Sequence, residues 1–142
     1  MNIDSIQYGF VIDHIPAGKG MKLYELLGLD ELDCSVALIR NVGSDKLGKK
    51  DIIKIDADIE INFDIIGFIA PEVTVNIIKS GDIVEKKKME LPLELAGVIS
   101  CKNPRCITTT EQELVHKFKL TDKENRVYRC LYCETKAKEQ SH

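Results

Sequence analysis

Two pairs of cysteines near the end of the chain constrain its fold more than any other feature. Four residues separate Cys101 from Cys106, two separate Cys130 from Cys133, and 23 residues lie between the pairs. Two such knuckles place four sulfurs around one ion, and tetrahedral zinc accepts this ligand set. Because four thiolates leave no open coordination position, we expect one structural, non-catalytic zinc ion per chain.

Two disulfides or inert buried thiols are the alternatives to a metal, and the spacing also permits an iron–sulfur cluster. The first eight residues lack the basic and apolar regions of a secretory signal, which favours a cytoplasmic location. Thiols are normally reduced in that compartment, so paired cysteines favour a metal over disulfides. Cys34 lies far from both pairs and is expected to be a core or surface thiol.

The region around the cysteines is too short to bury a large core, and a metal compensates for this. Upstream of it, β-branched runs alternate with two helical stretches. We therefore predict an α+β fold: an N-terminal antiparallel sheet of about five strands with two helices, followed by a small β-rich zinc domain. The segment Leu91–Pro92–Leu93 interrupts the first pattern, and the predicted domains are 1–94 and 95–142.

Hydrophobic periodicity locates the elements of the first domain. The predicted strands span residues 5–12, 34–42, 51–55, 74–78 and 83–87, with a turn at 42–48. One predicted helix spans 19–27 and stops at Gly28, and the other follows an Asn62 cap and ends at Ile69, before Ala70–Pro71.

Charge is distributed unevenly along the chain. Residues 1–96 carry 11 basic and 17 acidic side chains, a net charge of −6, whereas residues 97–142 carry 9 and 6, a net charge of +3. Four thiolates on a divalent ion bring the second half near +1, which argues against the alternative function, a zinc ribbon that binds nucleic acid. No apolar run approaches the length that crosses a bilayer, so we expect no membrane partner.

Asp13 and His14 are the candidate chemical groups of the first half. Without a serine or cysteine nucleophile beside them, they fit either an independent catalytic pair or a strand end with a solvated histidine. Lysines near strand ends are commonly solvated edge charges. An aspartate, a histidine and several lysines together also suit a nucleotide, since carboxylates bind ribose hydroxyls and cations bind phosphate.

Four segments of the chain resemble one known family in order and in spacing. They are GFVIDHIPA at 9–17, GKKDIIKI at 48–55, APEVTVN at 70–76, and CKNPRCI at 101–107 followed by CLYCE at 130–134. These segments are similar to those of the regulatory chain of aspartate carbamoyltransferase. The resemblance covers nearly the whole sequence.

The resemblance implies a subunit without catalytic activity of its own. It implies that the first domain binds the nucleoside triphosphates ATP and CTP and pairs with a second regulatory chain. It also implies that the zinc domain contacts a catalytic chain, within an assembly of catalytic trimers and regulatory dimers that makes pyrimidines. Nucleotides would then control that enzyme allosterically.

The resemblance also assigns roles to individual residues. Asp13 corresponds to a ribose contact, Lys54 to a ribose or neighbouring contact, and His14 and Lys86 to phosphate contacts. Lys50 corresponds to a nearby basic position. The pocket wall, including several main-chain groups that contact the base, corresponds to Asp4, Ile6, Val11, Asn76, Ile78 and Ile83.

Overall fold

The computed structural model describes residues 6–45 and 48–137, and the chain divides into two compact units after Glu90. The first unit contains a five-stranded sheet in the order β2-β3-β1-β4-β5, with every neighbouring pair antiparallel. Its elements are β1 (Gly9–Pro16), α1 (Gly20–Leu26), a 3₁₀ turn (Leu29–Glu31), β2 (Ser35–Ser44), β3 (Gly48–Asp56), α2 (Phe63–Ile69), β4 (Thr74–Lys79) and β5 (Asp82–Lys88).

The core of this unit lies between the two helices and one face of the sheet. Ile12 of β1 lies beside Ile53 of β3 and Val75 of β4, and all three side chains are buried. Leu23 of α1 and Ile66 of α2 belong to the same apolar cluster. Because strand side chains alternate between faces, the odd-numbered residues of β1 before its bulge lie on the opposite face of the sheet.

The second unit is small and mostly β. It contains β6 (Glu94–Ala96), α3 (Ile107–Thr110), β7 (Lys117–Asp122) and β8 (Val127–Cys130), with the sheet order β6-β7-β8. Leu95, Phe118 and Tyr128 form its apolar centre, each with at most 2% of its surface exposed. The Tyr128 hydroxyl donates a hydrogen bond of 2.7 Å to the carbonyl of Pro92, so the start of this unit is joined to its last strand.

The predicted fold class, an α+β chain with an antiparallel five-stranded sheet and a small β-rich second part, is confirmed. Asn62 caps α2 as expected, since its side chain accepts hydrogen bonds from the main-chain N–H groups of Asp64 and Ile65. Several details differ from the sequence prediction. β1 begins at Gly9 rather than at residue 5, and the predicted 42–48 turn is shorter, since β2 extends to Ser44 and β3 begins at Gly48. β1 continues to Pro16 through a bulge after Ile12, and α3 was not predicted.

Within residues 6–45 and 48–137, no helix combines the length and apolar character needed to cross a lipid bilayer.

Candidate functional site

Four cysteines of the second unit converge on one point. Cys101 lies before a turn, Cys106 immediately precedes α3, Cys130 ends β8, and Cys133 follows in the next turn. All five cysteines of the chain are described and all are free thiols, with Cys34 in the first unit. The two predicted pairs therefore form one cluster, and Cys34 is not part of it.

The spacing of the four sulfurs matches tetrahedral coordination. All four lie within 4.8 Å of one another. The Cys101 and Cys133 sulfurs are 3.6 Å apart, and those of Cys106 and Cys130 are 3.7 Å apart. A tetrahedron with ligands about 2.3 Å from its centre has edges of about 3.8 Å, whereas a disulfide bond is about 2.05 Å long. The geometry therefore fits a metal ion and excludes disulfides between these pairs.

Polar groups surround the sulfurs and hold them in place. The Thr108 hydroxyl lies 3.0 Å from the Cys106 sulfur, and the Tyr132 N–H lies 3.4 Å from that of Cys130. The Thr135 hydroxyl lies 3.1 Å from the Cys133 sulfur and accepts a hydrogen bond from the Asn103 amide. Partners of this kind orient metal ligands and offset the charge of thiolates.

The thiols differ in their readiness to ionise. Burial, assisted by the neighbouring thiols, raises the pKa of Cys101 to about 12, and burial also raises the pKa of Cys130. The hydrogen bond with the Thr135 hydroxyl lowers the pKa of Cys133 to about 6. Four adjacent thiolates repel one another unless a cation neutralises them, so this donor set is suited to a metal ion.

The first unit places most of the predicted nucleotide-binding residues on one surface. Strand register makes Val11 a neighbour of both Lys54 and Asn76, Asn76 a neighbour of Lys86, and Ile78 a neighbour of Ile83. Cross-strand neighbours project to the same face, and this face is opposite the helices. We call this surface the open face and define it by Val11, Asp13, Lys54, Asn76, Ile78, Ile83 and Lys86.

A bulge at the end of the open face presents Asp13 and His14. The pairing of β1 with β3 shifts between Ile12 and Ile15, and His14 adopts a left-handed conformation with φ of 62°. The Asp13 carboxylate accepts a 2.6 Å hydrogen bond from the His14 N–H and forms a 3.0 Å ion pair with Lys50. These three predicted residues are therefore brought together.

The pKa of Asp13 lies below the usual value of 3.8 for a carboxyl group. Partial burial raises this pKa, but hydrogen bonds from Lys50 and the His14 N–H, with the positive charges of both side chains, together outweigh burial. Asp13 is thus a carboxylate at neutral pH, and it can accept hydrogen bonds from hydroxyl groups.

Asn76 carries an unusual polar atom in the middle of the open face. Its buried side-chain oxygen has no hydrogen-bond partner within the described chain. Such an atom costs free energy unless a water or a ligand donates to it. Of the remaining predicted residues, Ile6 is buried just before β1, and Asp4 lies outside the described residues.

The sequence prediction missed two residues next to these sites. Asp51 is fully buried in β3 and accepts main-chain hydrogen bonds from three positions. Asp51 occupies alternate positions along β3 with the core residues Ile53 and Ile55, so all three project to the same face of the sheet. This alternation could have identified Asp51 as an inward-facing residue from the sequence. His116 accepts a 2.9 Å hydrogen bond from the Cys101 N–H through its Nδ1, and nothing in the local sequence indicates that contact.

Two family models match this chain, and their ranges correspond to its two structural units. Residues 1–90 match the model of the aspartate carbamoyltransferase regulatory chain, allosteric domain, and residues 93–142 match that of its metal binding domain. Aspartate carbamoyltransferase regulatory chains of Clostridium botulinum (strain Hall) and Bifidobacterium longum are 52% and 47% identical to this chain. The alignments cover 94% and 97% of this chain, and 92% and 99% of the respective relatives.

The family matches agree with what the second unit shows, since its four-cysteine cluster falls within the matched metal binding domain. They also answer the question of catalysis, because the matched family and the relatives are regulatory rather than catalytic chains. The chain belongs to the family of aspartate carbamoyltransferase regulatory chains.

Proposed function

We propose that this protein is the nucleotide-sensing regulatory subunit of an aspartate carbamoyltransferase, and that ATP and CTP bind the open face. The observation that carries the proposal is the convergence of a carboxylate, several cations and an unpartnered amide oxygen on one face of the sheet in the matched allosteric domain. Each of these groups suits a different part of a nucleoside triphosphate.

In this proposal, the cations at the margin of the open face bind the phosphates. Lys86 is exposed on the edge strand β5, and His14 projects from the bulge at the end of β1. A triphosphate carries several negative charges, so lysine and protonated histidine stabilise it by charge-assisted hydrogen bonds. The first 96 residues have a net charge of −6, so this cationic group supplies local attraction within an acidic domain.

Ribose and base occupy the rest of the surface in this proposal. A ribose hydroxyl donates to Asp13, whose carboxylate already accepts from Lys50 and the His14 N–H. Lys54 lies near the ribose, and Asn76 offers its unpartnered oxygen to a donor on the nucleotide. Apolar contacts to the base come from the pocket wall, formed by Ile6, Val11, Ile78 and Ile83, with Asp4 preceding it.

The metal centre serves assembly in this proposal. Four cysteines suit one structural zinc ion, because thiolates fill every position of a tetrahedral shell. The ion stabilises the small second domain, which contacts a catalytic chain. The first domain pairs with a second regulatory chain, and the hetero-oligomer of catalytic trimers and regulatory dimers acts in cytoplasmic pyrimidine biosynthesis. Allosteric control then requires that nucleotide binding in the first domain alter the contact made by the second.

Calorimetry on the zinc-loaded chain tests the nucleotide site, with CTP displacing ATP as the check for one shared site. Lys86→Ala should weaken ATP binding at least tenfold, about the value of one charge-assisted hydrogen bond. Lys87→Ala is the matched control, because it removes the same charge from the next residue, whose ammonium lies over the Phe63 ring on the helix side. Equal losses in both variants, or no ATP binding by the wild type, would refute the proposed site.

Size-exclusion chromatography with the catalytic chain of the same organism tests the docking role. The zinc-loaded chain should co-elute with the catalytic chain, and the metal-free chain should not. Activity of the complex with and without ATP or CTP then tests allosteric control. A metal-free chain that still assembles would contradict the role given to the metal centre.

A further inference from the structure

The least explained group in the first unit is the carboxylate of Asp51. Among the charged residues that the structure describes, it alone is buried, with no exposed surface. One carboxylate oxygen accepts main-chain N–H groups from Gly18, at 3.1 Å, and Gly20, at 3.0 Å. The other accepts from Asn41, at 3.1 Å. A buried carboxylate is costly unless hydrogen bonds satisfy it, so its contacts indicate its role.

These three hydrogen bonds join the turn between β1 and α1, which contains Gly18 and ends at Gly20, to a bulge of β2. The turn follows the irregular end of β1, and both bulges lie beside β3. On one side, the β1–β3 pairing shifts between Ile12 and Ile15, where the bulge presents Asp13 and His14. On the other side, the β2–β3 pairing shifts between Ile39 and Val42, where the second bulge contains Arg40 and Asn41. His14 and Asn41, one in each bulge, both have left-handed backbone, with φ of 62° and 59°.

Gly20 confirms how closely the chain packs around this carboxylate. A Cβ atom on Gly20 would lie 2.8 Å from the nearer carboxylate oxygen of Asp51, so only glycine allows this approach. Gly18 has φ of 98°, which glycine adopts without strain. The chain from the end of β1 to the start of α1 is therefore shaped around Asp51.

We propose that Asp51 is a positioning residue for nucleotide binding: by holding the turn at Gly18 and Gly20 it fixes the preceding Asp13–His14 bulge, and it ties that turn to the Arg40–Asn41 bulge of the edge strand β2. This inference rests on the proposed function, because it assigns Asp51 a role at the same nucleotide site. Asp51 itself lies on the core face and makes no contact with nucleotide. A ligand that restricts the Asp13–His14 bulge and the turn after it thereby restricts the Arg40–Asn41 bulge, since one side chain bonds both that turn and Asn41.

Amide hydrogen exchange on the zinc-loaded wild-type chain gives the first test. ATP should slow exchange at Gly18, Gly20 and Asn41 together, because one carboxylate accepts from all three N–H groups. If Asp51 were a structural carboxylate without this positioning role, ATP would not change the exchange rate of the Asn41 N–H. Slower exchange at Gly18 and Gly20 with no change at Asn41 would overturn the proposed link, and this measurement requires no variant.

Asp51→Asn gives the second test. An amide can accept from both glycines through its oxygen, but its NH₂ group then faces the Asn41 N–H, so that hydrogen bond is lost. We expect ATP to bind about tenfold more weakly, and its effect on Asn41 exchange to disappear. Asp30→Asn is the matched control, because it makes the same charge change at an exposed position in the 3₁₀ turn.

The outcomes separate this inference from the proposed function. If the wild type binds ATP and Asp51→Asn binds it equally well, the inference fails and the nucleotide site stands. If the wild type does not bind ATP, the proposed function fails, and the inference fails with it. If Asp30→Asn weakens ATP binding as much as Asp51→Asn, the loss reflects charge alone, and the positioning role is refuted.

Discussion

Replacing one ligand of the metal centre should unfold the second unit while leaving the first folded. Cys130 is the most informative position, because it ends β8, is 98% buried and has a sulfur that accepts from the Tyr132 N–H. Cys130→Ser retains the size of the side chain but replaces a soft ligand with a poor one. The matched control is Cys34→Ser, the same substitution at the cysteine outside the cluster.

The expected effect is large relative to the stability of a small domain. Structural zinc sites contribute about 10–16 kcal/mol at pH 7, whereas whole domains are stable by about 5–15 kcal/mol. Among the described residues of the second unit, three large side chains are buried at its centre, Leu95, Phe118 and Tyr128, so little else there can replace the metal. Loss of the ion should therefore remove all of the stability of this unit.

Elemental analysis and two-dimensional NMR measure this outcome together. Wild type and Cys34→Ser should hold about one zinc ion per chain and show dispersed signals throughout. Cys130→Ser should lose the metal and the dispersion of residues 93–137, with signals of residues 6–45 and 48–90 unchanged. Dispersed signals from a metal-free second unit would refute the reasoning, and so would collapse of both units together.

Four further predictions concern the first unit. Its stability should fall in acid, because the pKa of Asp13 in the folded state lies below 3.8, the value for the unfolded chain. The stabilisation by ionised Asp13 is complete above 3.8 and disappears as the pH falls through the folded pKa. Lys50→Met should raise the Asp13 pKa, as measured by carboxyl NMR titration, and an unchanged pKa would contradict the role of the ion pair. Asn62→Ala should lower the free energy of unfolding by about 1 kcal/mol in urea titration, through loss of the α2 cap. Gly9→Ala should destabilise the unit by more than about 1 kcal/mol, because the new Cβ atom would overlap a main-chain carbonyl of β3. Gly43→Ala is the control and should change stability little, because the space around Gly43 is open.

The sequence was sufficient to predict features that are set by a characteristic residue type and its spacing. The cysteine spacing predicted the four-sulfur cluster, because each pair is separated by only a few residues and a tetrahedral metal needs two such pairs. Asn62 predicted the start of α2, because a cap depends on the next few residues. The pattern of β-branched runs likewise predicted the antiparallel sheet. These signals are short-range, so they can be read without knowledge of the tertiary fold.

Features that depend on distant contacts escaped the sequence prediction. β1 was expected to end at Ile12, since a polar pair and a proline follow, yet it continues to Pro16. The turn that follows β1 is held by Asp51, more than thirty residues away, through Gly18 and Gly20. The helix α3 follows Cys106 directly, so its four residues form where the chain is anchored beside the sulfur cluster rather than by helical periodicity.

The division of the sheet into a covered face and an open face separates the residues proposed to bind nucleotide from those that form the core. Substitutions at Val11, Asn76 or Ile78 alter the surface opposite the helices and leave the buried residues at the alternate positions untouched. If the open face binds nucleotide as proposed, its residues can change nucleotide preference at little cost in stability. Gly9 is the exception, because a main-chain carbonyl of β3 occupies the space of its missing side chain. A library that varies the open face to redesign the response should therefore keep Gly9 fixed.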